Sequence, residues 1–250
     1  MDIEIEQASN PNTPPEVLAQ LATNWYGRVR LAVASNSATP PEALAKLATD
    51  QSKWIRGNVG ENPSTPLNIL STLANDERAY VRDRVGLNPS TPLVILEQLA
   101  HDANGAVRCE VAKNPSTPPE VLVALAHDEY EGTRRWVARN PHTPPEVLIR
   151  LASDENSTVR GGVAKNKSTP PDTLAKLATD QSKRVRWDVA ENPLTPPRVL
   201  GWLAKDKDYD VREAATRNNN RASDFMALTD MQGGRATVEY PNPTNDLEIS

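Results

Sequence analysis

Apolar residues along this chain fall into two alternating clusters, and the pair of clusters recurs every 26 residues. In one unit Val121, Leu122, Leu125 and Ala126 lie within a single arc at about 100° per residue, the stripe of an amphipathic helix. Val107, Val111 and Ala112 in the preceding unit, and Val185, Val189 and Ala190 further on, mark a second, shorter helical element of roughly two turns. So few residues leave α and 3-10 geometry both open for it. An asparagine leads every unit, at Asn10, Asn36, Asn62, Asn88, Asn114, Asn140, Asn166, Asn192 and Asn218, with no insertion anywhere. Self-similarity at a fixed period of this length means a solenoid, in which each unit buries its apolar face only against its neighbours. The expected fold class is all-α, a solenoid of eight two-helix repeats.

The punctuation repeats as strictly as the core. Thr117-Pro118-Pro119-Glu120 predicts a helix start, with the threonine hydroxyl as cap, a proline at the first helical position and the glutamate reaching back in a capping box. Thr13/Glu16, Thr39/Glu42 and Thr143/Glu146 repeat the set, whereas the third and fourth repeats carry Leu67 and Leu93 after the single proline. The asparagine before each proline is pushed out of the helical region and is expected to close an Asx-turn, ending one repeat and starting the next.

Charge changes the picture only at the ends. Residues 10–217 hold 26 basic and 25 acidic side chains, so the net charge of -5 comes from residues 1–9 and from the region after Arg217. That balance argues against nucleic-acid binding by charge alone. The organisation read from it is an acidic N-terminal segment at 1–9 and one solenoid domain at 10–217. A partial capping repeat at 218–230 and an irregular acidic tail at 231–250 complete it. Cys109 is the single cysteine, the N-terminus lacks a signal-peptide pattern, and no apolar run reaches membrane-spanning length, so a cytoplasmic location is the expectation. No Gly-rich phosphate loop, nucleophile elbow or metal-ligand spacing stands out; His101 and His127 fall in neighbouring repeats, too far apart to share one zinc. No cofactor and no enzymatic activity are expected.

Asn-Pro-x-Thr-Pro-Pro-Glu-Val-Leu-x-x-Leu-Ala, followed by Asp-x4-Val-Arg-x2-Val-Ala, resembles the leucine-rich repeat variant, a bacterial relative of the HEAT-like α-solenoids. The likeness runs from Asn10 to about Arg217. It implies a right-handed superhelix in which α-helices alternate with shorter, 3-10-like helices, and a role as an interaction scaffold. The redox activity of the family's founding example, with its cysteine-ligated iron–sulfur domain, does not carry over to a chain whose only cysteine is Cys109.

Two sets of polar residues are candidates for function. The first pairs an aspartate with the arginine six residues on: Asp50/Arg56, Asp76/Arg82, Asp102/Arg108, Asp128/Arg134, Asp154/Arg160, Asp180/Arg186 and Asp206/Arg212. Each arginine falls inside the apolar arc of the second helix, where a buried cation needs a partner, so this set is read as a structural ladder, and the resemblance to HEAT-like repeats implies that it ties neighbouring units together. The second set is the outward stripe of the second helices, which varies while the scaffold repeats. Its candidate partner-binding residues are Trp54, Tyr80, Leu87, Arg135, Arg139, Lys165, Arg184 and Trp187, rich in the types that dominate interface energetics. The function this predicts is display of aromatic anchors and a basic patch to a protein or an extended, acidic peptide. A HEAT-like nucleic-acid-binding or DNA-repair protein is the alternative, with Arg135, Arg184 and Trp187 compatible and the neutral array against it.

Overall fold

A computed structural model of the chain describes residues 2–219, and those residues contain helices and turns but no strand. A first helix, α1, spans Asp2–Ser9. Seven-residue helices then open each repeat: α2 (Pro15–Leu21), α4 (Pro41–Leu47), α6 (Leu67–Leu73), α8 (Leu93–Leu99), α10 (Pro119–Leu125), α12 (Pro145–Leu151), α14 (Pro171–Leu177) and α16 (Pro197–Leu203). Nine-residue helices close them: α3 (Gly27–Ser35), α5 (Lys53–Glu61), α7 (Ala79–Leu87), α9 (Gly105–Lys113), α11 (Glu131–Arg139), α13 (Ser157–Lys165) and α15 (Lys183–Glu191). The helical run at 209–219, here α17, takes that place in the eighth repeat. The expectation for residues beyond 219, the remainder of the partial capping repeat and the acidic tail, lies outside the described residues.

The second element of each repeat is α-helical, and it is the longer of the two, which corrects both its expected shortness and the 3-10 geometry implied by the resemblance. Its amides bond four residues back from the first turn, as from Arg56 to the Ser52 carbonyl at 3.1 Å, and the closing Asn62 still reaches Asn58 at 3.0 Å. The nine-residue helices of successive repeats pack directly on one another, while the seven-residue helices stand further apart. The array therefore curves with the nine-residue layer on its concave side.

Small residues permit that close stacking. After the second valine stands Ala34, Gly60, Gly86, Ala112, Ala138, Ala164 or Ala190, all buried. A Cβ on Gly60 would already lie 3.0 Å from Val85 Cγ2. Between the layers runs a ladder of leucines, Leu18, Leu44, Leu70, Leu96, Leu122, Leu148, Leu174 and Leu200, each no more than 2% exposed. Each such burial stabilises the stack by about 1.5–3 kcal/mol.

The repeated threonine does something other than cap. The residue before each seven-residue helix is the first proline, in extended geometry, with no side-chain cap on its N-terminus. The buried hydroxyl of Thr39 instead donates to the Val33 carbonyl at 2.6 Å, and its equivalents repeat this six residues back in every unit. It thereby gives a second donor to a carbonyl in the last turn of the preceding helix, which the Asn36 amide also reaches at 3.1 Å. Glu16, Glu42, Glu120 and Glu146 stand exposed in the first turn without the capping-box bond.

The asparagines do close the expected turns: Asn62 Oδ1 accepts from the Ser64 amide at 2.9 Å. Each also spends both amide hydrogens on the repeat before it. Asn62 Nδ2 donates to the carbonyls of Ala34 and Asn36, each at 2.9 Å, and the same two bonds recur from Asn36 to Asn218.

The Asp/Arg set is also a lateral connection, with its partners shifted by one unit. Arg56 donates from Nε and Nη2 to the carboxylate of Asp76 in the next repeat, at 2.6 and 2.9 Å, while its Nη1 reaches the backbone carbonyl of Asp50 in its own repeat at 2.8 Å. The Asp50 carboxylate accepts from the Ser52 amide and from Arg30 of the repeat before, at 2.7 Å, so Arg30 heads the series although no spacing of six marks it. Burial raises the pKa of Asp50, Asp76, Asp102, Asp154 and Asp180, but the arginine and amide hydrogen bonds together outweigh it and hold each below 3.8.

At the other end the series stops at Arg212 within the described residues. Asp206 keeps its place in the ladder, accepting from Arg186 Nε at 2.6 Å, and Arg212 ties no further unit among the described residues. Its Nη1 donates to the backbone carbonyls of Asp206 and Lys207, at 2.8 and 3.0 Å, and its guanidinium carbon lies 5.7 Å from the Tyr209 ring. Among the described residues no carboxylate pairs with it. Each ladder arginine takes its carboxylate from twenty residues on, and the position twenty residues beyond Arg212 lies outside the described residues. Among the described residues Arg212 therefore braces its own loop.

Helix α1 shows how the array begins. The segment read as an acidic N-terminus occupies the place of a nine-residue helix in a repeat that precedes the first. It packs on α3 and buries Ala8 completely. Asn36 donates to Ala8 and Asn10 as every later asparagine does. Where other repeats pair arginine with aspartate, Asn24 Nδ2 donates to Glu4 Oε1 at 3.0 Å. The departure at Asn24 thus compensates for an acidic residue at the arginine position.

Candidate partner-binding face

Four positions of each nine-residue helix point away from the core. Taking the first valine as 0°, the three read from the sequence lie at roughly 200°, 240° and 260°, and a fourth lies at roughly 300° on the same side. That fourth column, just before the second valine, includes Asn58, Arg84, Glu110, Trp136 and Asp188. Sequence reasoning passed over it, although the same angular count picks it out.

At the second and third repeats Trp54, 53% exposed, meets half-buried Tyr80 edge to face, with ring centroids 4.5 Å apart. Lys53 Nζ lies 4.7 Å from the Trp54 ring and the Arg84 guanidinium 5.1 Å from the Tyr80 ring. Gly57 makes the room: a Cβ there would stand 2.5 Å from Tyr80 Cε1. Leu87 is half-buried on the same helix as Tyr80 and joins no ring contact.

Beside this corner Asp83 is held in an unfavourable setting. Burial, with the nearby Glu110 and Glu61 charges, pushes its carboxyl up to about 6, against the opposing pull of Arg84. Cys109 follows in the same column, and burial with the Glu110 charge raises its thiol to about 11. Such a thiol is a small apolar filler at neutral pH, not a nucleophile.

At the fifth repeat Arg135 and Arg139 are half-buried and flank Trp136, their guanidinium carbons 5.4 and 5.5 Å from its ring. Lys113 Nζ of the fourth repeat lies 5.4 Å from the same ring. Further on, Lys165 and Arg184 both approach Asp188, at 3.2 and 3.3 Å, and Arg184 also stacks on Trp187 at 4.5 Å. Gly161 leaves space for that carboxylate, since a Cβ there would lie 2.8 Å from Asp188 Oδ2. Burial raises the Asp188 pKa against the lowering by Lys165. The candidate residues therefore form three groups along the concave face: Trp54 with Tyr80, Arg135 with Arg139, and Lys165 and Arg184 with Trp187. Among the described residues no three His, Cys, Asp or Glu side chains are grouped to hold a metal, and no helix is long and apolar enough to cross a membrane.

A curved stack of two-helix units with a repeated core and a varied inner face is an α-solenoid of the repeat-scaffold kind. The leucine rich repeat variant family model matches residues 27–52, and that of the leucine rich repeat variant domain matches residues 106–167 and 161–219. The chain belongs to the leucine-rich repeat variant family. A solved leucine-rich repeat variant, described as having a novel repetitive protein structural motif, is 29% identical with a TM-score of 0.58, over 82% of this chain and 81% of that one. The YibA protein of Escherichia coli aligns at 16% identity over 88% of this chain and 96% of its own, with a TM-score of 0.49. Human deoxyhypusine hydroxylase aligns at 16% identity over 89% and 96%, with a TM-score of 0.36. These two likenesses are too loose to bear on activity. No protein of curated function matches the sequence.

Proposed function

We propose that the chain is a non-enzymatic, cytoplasmic scaffold that binds a protein or peptide partner along its concave face. One observation carries the reading. Core, turn and ladder positions recur from repeat to repeat, whereas the concave columns change in every unit and gather Trp54, Tyr80, Trp136, Trp187 and six arginines. Rigid aromatic and arginine side chains supply most of the energy of protein interfaces. Eight repeats at about 10 Å each give an arc of roughly 80 Å, long enough for an interface of about 800 Å² per partner.

The test is a pull-down from a lysate of the source organism, with mass spectrometry. The native chain is run beside a variant carrying Trp54→Ala, Tyr80→Ala, Arg135→Ala and Arg139→Ala, shown by circular dichroism to be folded. A protein retained by the native chain and lost from the variant supports the reading. Equal retention by both moves the site away from the concave face. Nucleic acid as the only material retained, released by salt, replaces the scaffold with the alternative.

A further inference from the structure

Every acidic side chain of the concave face has a base beside it. Arg84 serves both Glu61 at 3.0 Å and Asp83 at 3.3 Å, and Lys113 takes Glu110 at 3.2 Å. Asp188 has Lys165 and Arg184, Glu191 and Glu213 share Arg217, and Asp210 has Lys183 at 3.8 Å. The converse does not hold. Arg28 at the first repeat, and Arg135 and Arg139 at the fifth, make no ion pair among the described residues.

Arg135 and Arg139 differ from Arg28 in being a cluster. They stand one turn apart on α11, a spacing at which like charges repel. They share the Trp136 ring with Lys113, so three cations surround one indole and only Lys113 has a carboxylate. Ring contact offsets part of that repulsion but leaves the charge. Arg135 Nε is moreover a buried donor with no acceptor among the described residues, so no hydrogen bond at that atom ties the guanidinium to a neighbouring group. The concave columns of the next repeat bring Gly161 and Gly162, so no side chain from those two positions covers the cluster.

We propose that Arg135 and Arg139, floored by Trp136, are the seat of an Asp or Glu carboxylate carried by an extended polypeptide lying along the concave face. The partner is thus an acidic peptide segment, and Arg135 and Arg139 fix its register. The inference rests on the concave face being the one that takes a polypeptide. Guanidinium forks suit this task because they grip a planar carboxylate with two parallel N–H bonds.

The experiment is selection from a phage library of randomised peptides of about 12 residues, which span ~40 Å or some four repeats when extended. Targets are the native chain, R135E/R139E, the uncharged R135Q/R139Q, and W54A/Y80A, each checked for folding. Peptides enriched on the native chain are expected to carry Asp or Glu at a recurring position. They should bind R135Q/R139Q about tenfold or more weakly, and R135E/R139E should enrich Lys or Arg at that same position. Peptides that depend on Trp54 and Tyr80 but show no acidic position, and that bind R135Q/R139Q unchanged, overturn this inference and leave the polypeptide reading standing. Enrichment of no peptide, or of peptides indifferent to all variants, overturns both. A single-stranded DNA of about 12 nucleotides that outbinds every peptide, and is lost with R135Q/R139Q, would assign the seat to backbone phosphates instead.

Discussion

Asn114→Ala probes the bond that joins one repeat to the next. Asn114 is fully buried; its Nδ2 donates to the Gly86 carbonyl at 2.8 Å and to the Asn88 carbonyl at 2.9 Å, and its Oδ1 accepts from the Ser116 amide at 2.8 Å. Alanine removes all three bonds unequally. The Asn88 carbonyl keeps the Thr91 amide at 3.0 Å, and Ser116 stands in an exposed turn where water reaches its amide. The Gly86 carbonyl closes a helix and loses the bond that came from the next repeat. An orphaned buried acceptor costs about 1–3 kcal/mol, and the two other bonds about 1 kcal/mol each, so the expected loss is roughly 3–5 kcal/mol. That is a large share of the stability of an ordinary domain.

The assay is urea unfolding followed by far-ultraviolet circular dichroism, joined to amide hydrogen exchange because repeat arrays lose cooperativity when one junction fails. Exchange should quicken first on both sides of the third-to-fourth junction, around residues 86–116. Ser116→Ala is the control, removing one exposed hydroxyl bond to the Pro89 carbonyl, with an expected cost below about 0.5 kcal/mol. Asn114→Asp keeps the shape and the Ser116 bond but turns two donors into acceptors facing two carbonyls, and should be at least as damaging as alanine. If Asn114→Ala fell within about 0.5 kcal/mol of Ser116→Ala, the asparagine series would be an accompaniment of the turn, and lateral cohesion would have to lie elsewhere.

Asp154→Ala leaves the Arg134 guanidinium, whose side chain is 12% exposed, without its 2.7 Å carboxylate; a loss of about 3 kcal/mol in urea unfolding is expected, and a paired Arg134→Met/Asp154→Leu variant should recover part of it. Acid titration of stability should show opposing contributions. The ladder aspartates have folded pKa values below 3.8, so their stabilisation is present above the unfolded value and disappears as pH falls through the folded one. Asp83, at about 6, is raised instead, so its contribution is full below about 4 and is lost as pH climbs toward 6 and beyond. Asp83→Asn should therefore be more stable than the native chain at pH 7.5, by about 3 kcal/mol at most, and lose that advantage by about pH 4. Cys109, with its thiol raised to about 11, should react with a maleimide at pH 8 roughly 100-fold more slowly in the folded chain than in urea; equal rates would place the thiol in solvent.

Local rules recovered the fold because the same apolar positions recur eight times, and no single substitution, such as Thr133 in place of valine, can mask them. They failed where a residue's partner sits one unit away. Asn62 is seen as a turn closer from its bond to residue 64, while its two donor bonds reach back 26 and 28 residues. Asp50 and Arg56 look like a pair at a spacing of six, yet the carboxylate of Arg56 lies twenty residues on. The same spacing enrols Arg212, whose bonds among the described residues go to backbone carbonyls of its own loop. Thr39 has the composition of a cap, but the proline after it takes the capping position, and its hydroxyl serves the helix before.

The same blindness to lateral neighbours governs the site. Counted along the chain, Arg135, Arg139, Lys165 and Arg184 make one basic patch of four. Stacking brings Asp188 against the last two and offsets one of their two charges, while the first two pair with no carboxylate among the described residues. Trp136, which gives those two a common floor, belongs to the column that the count of three positions per helix left out. What a ligand meets is the charge left after neighbouring repeats have neutralised one another. That remainder depends on which column faces which across a junction, a relation set by the close packing of the nine-residue helices and carried by no spacing within a repeat.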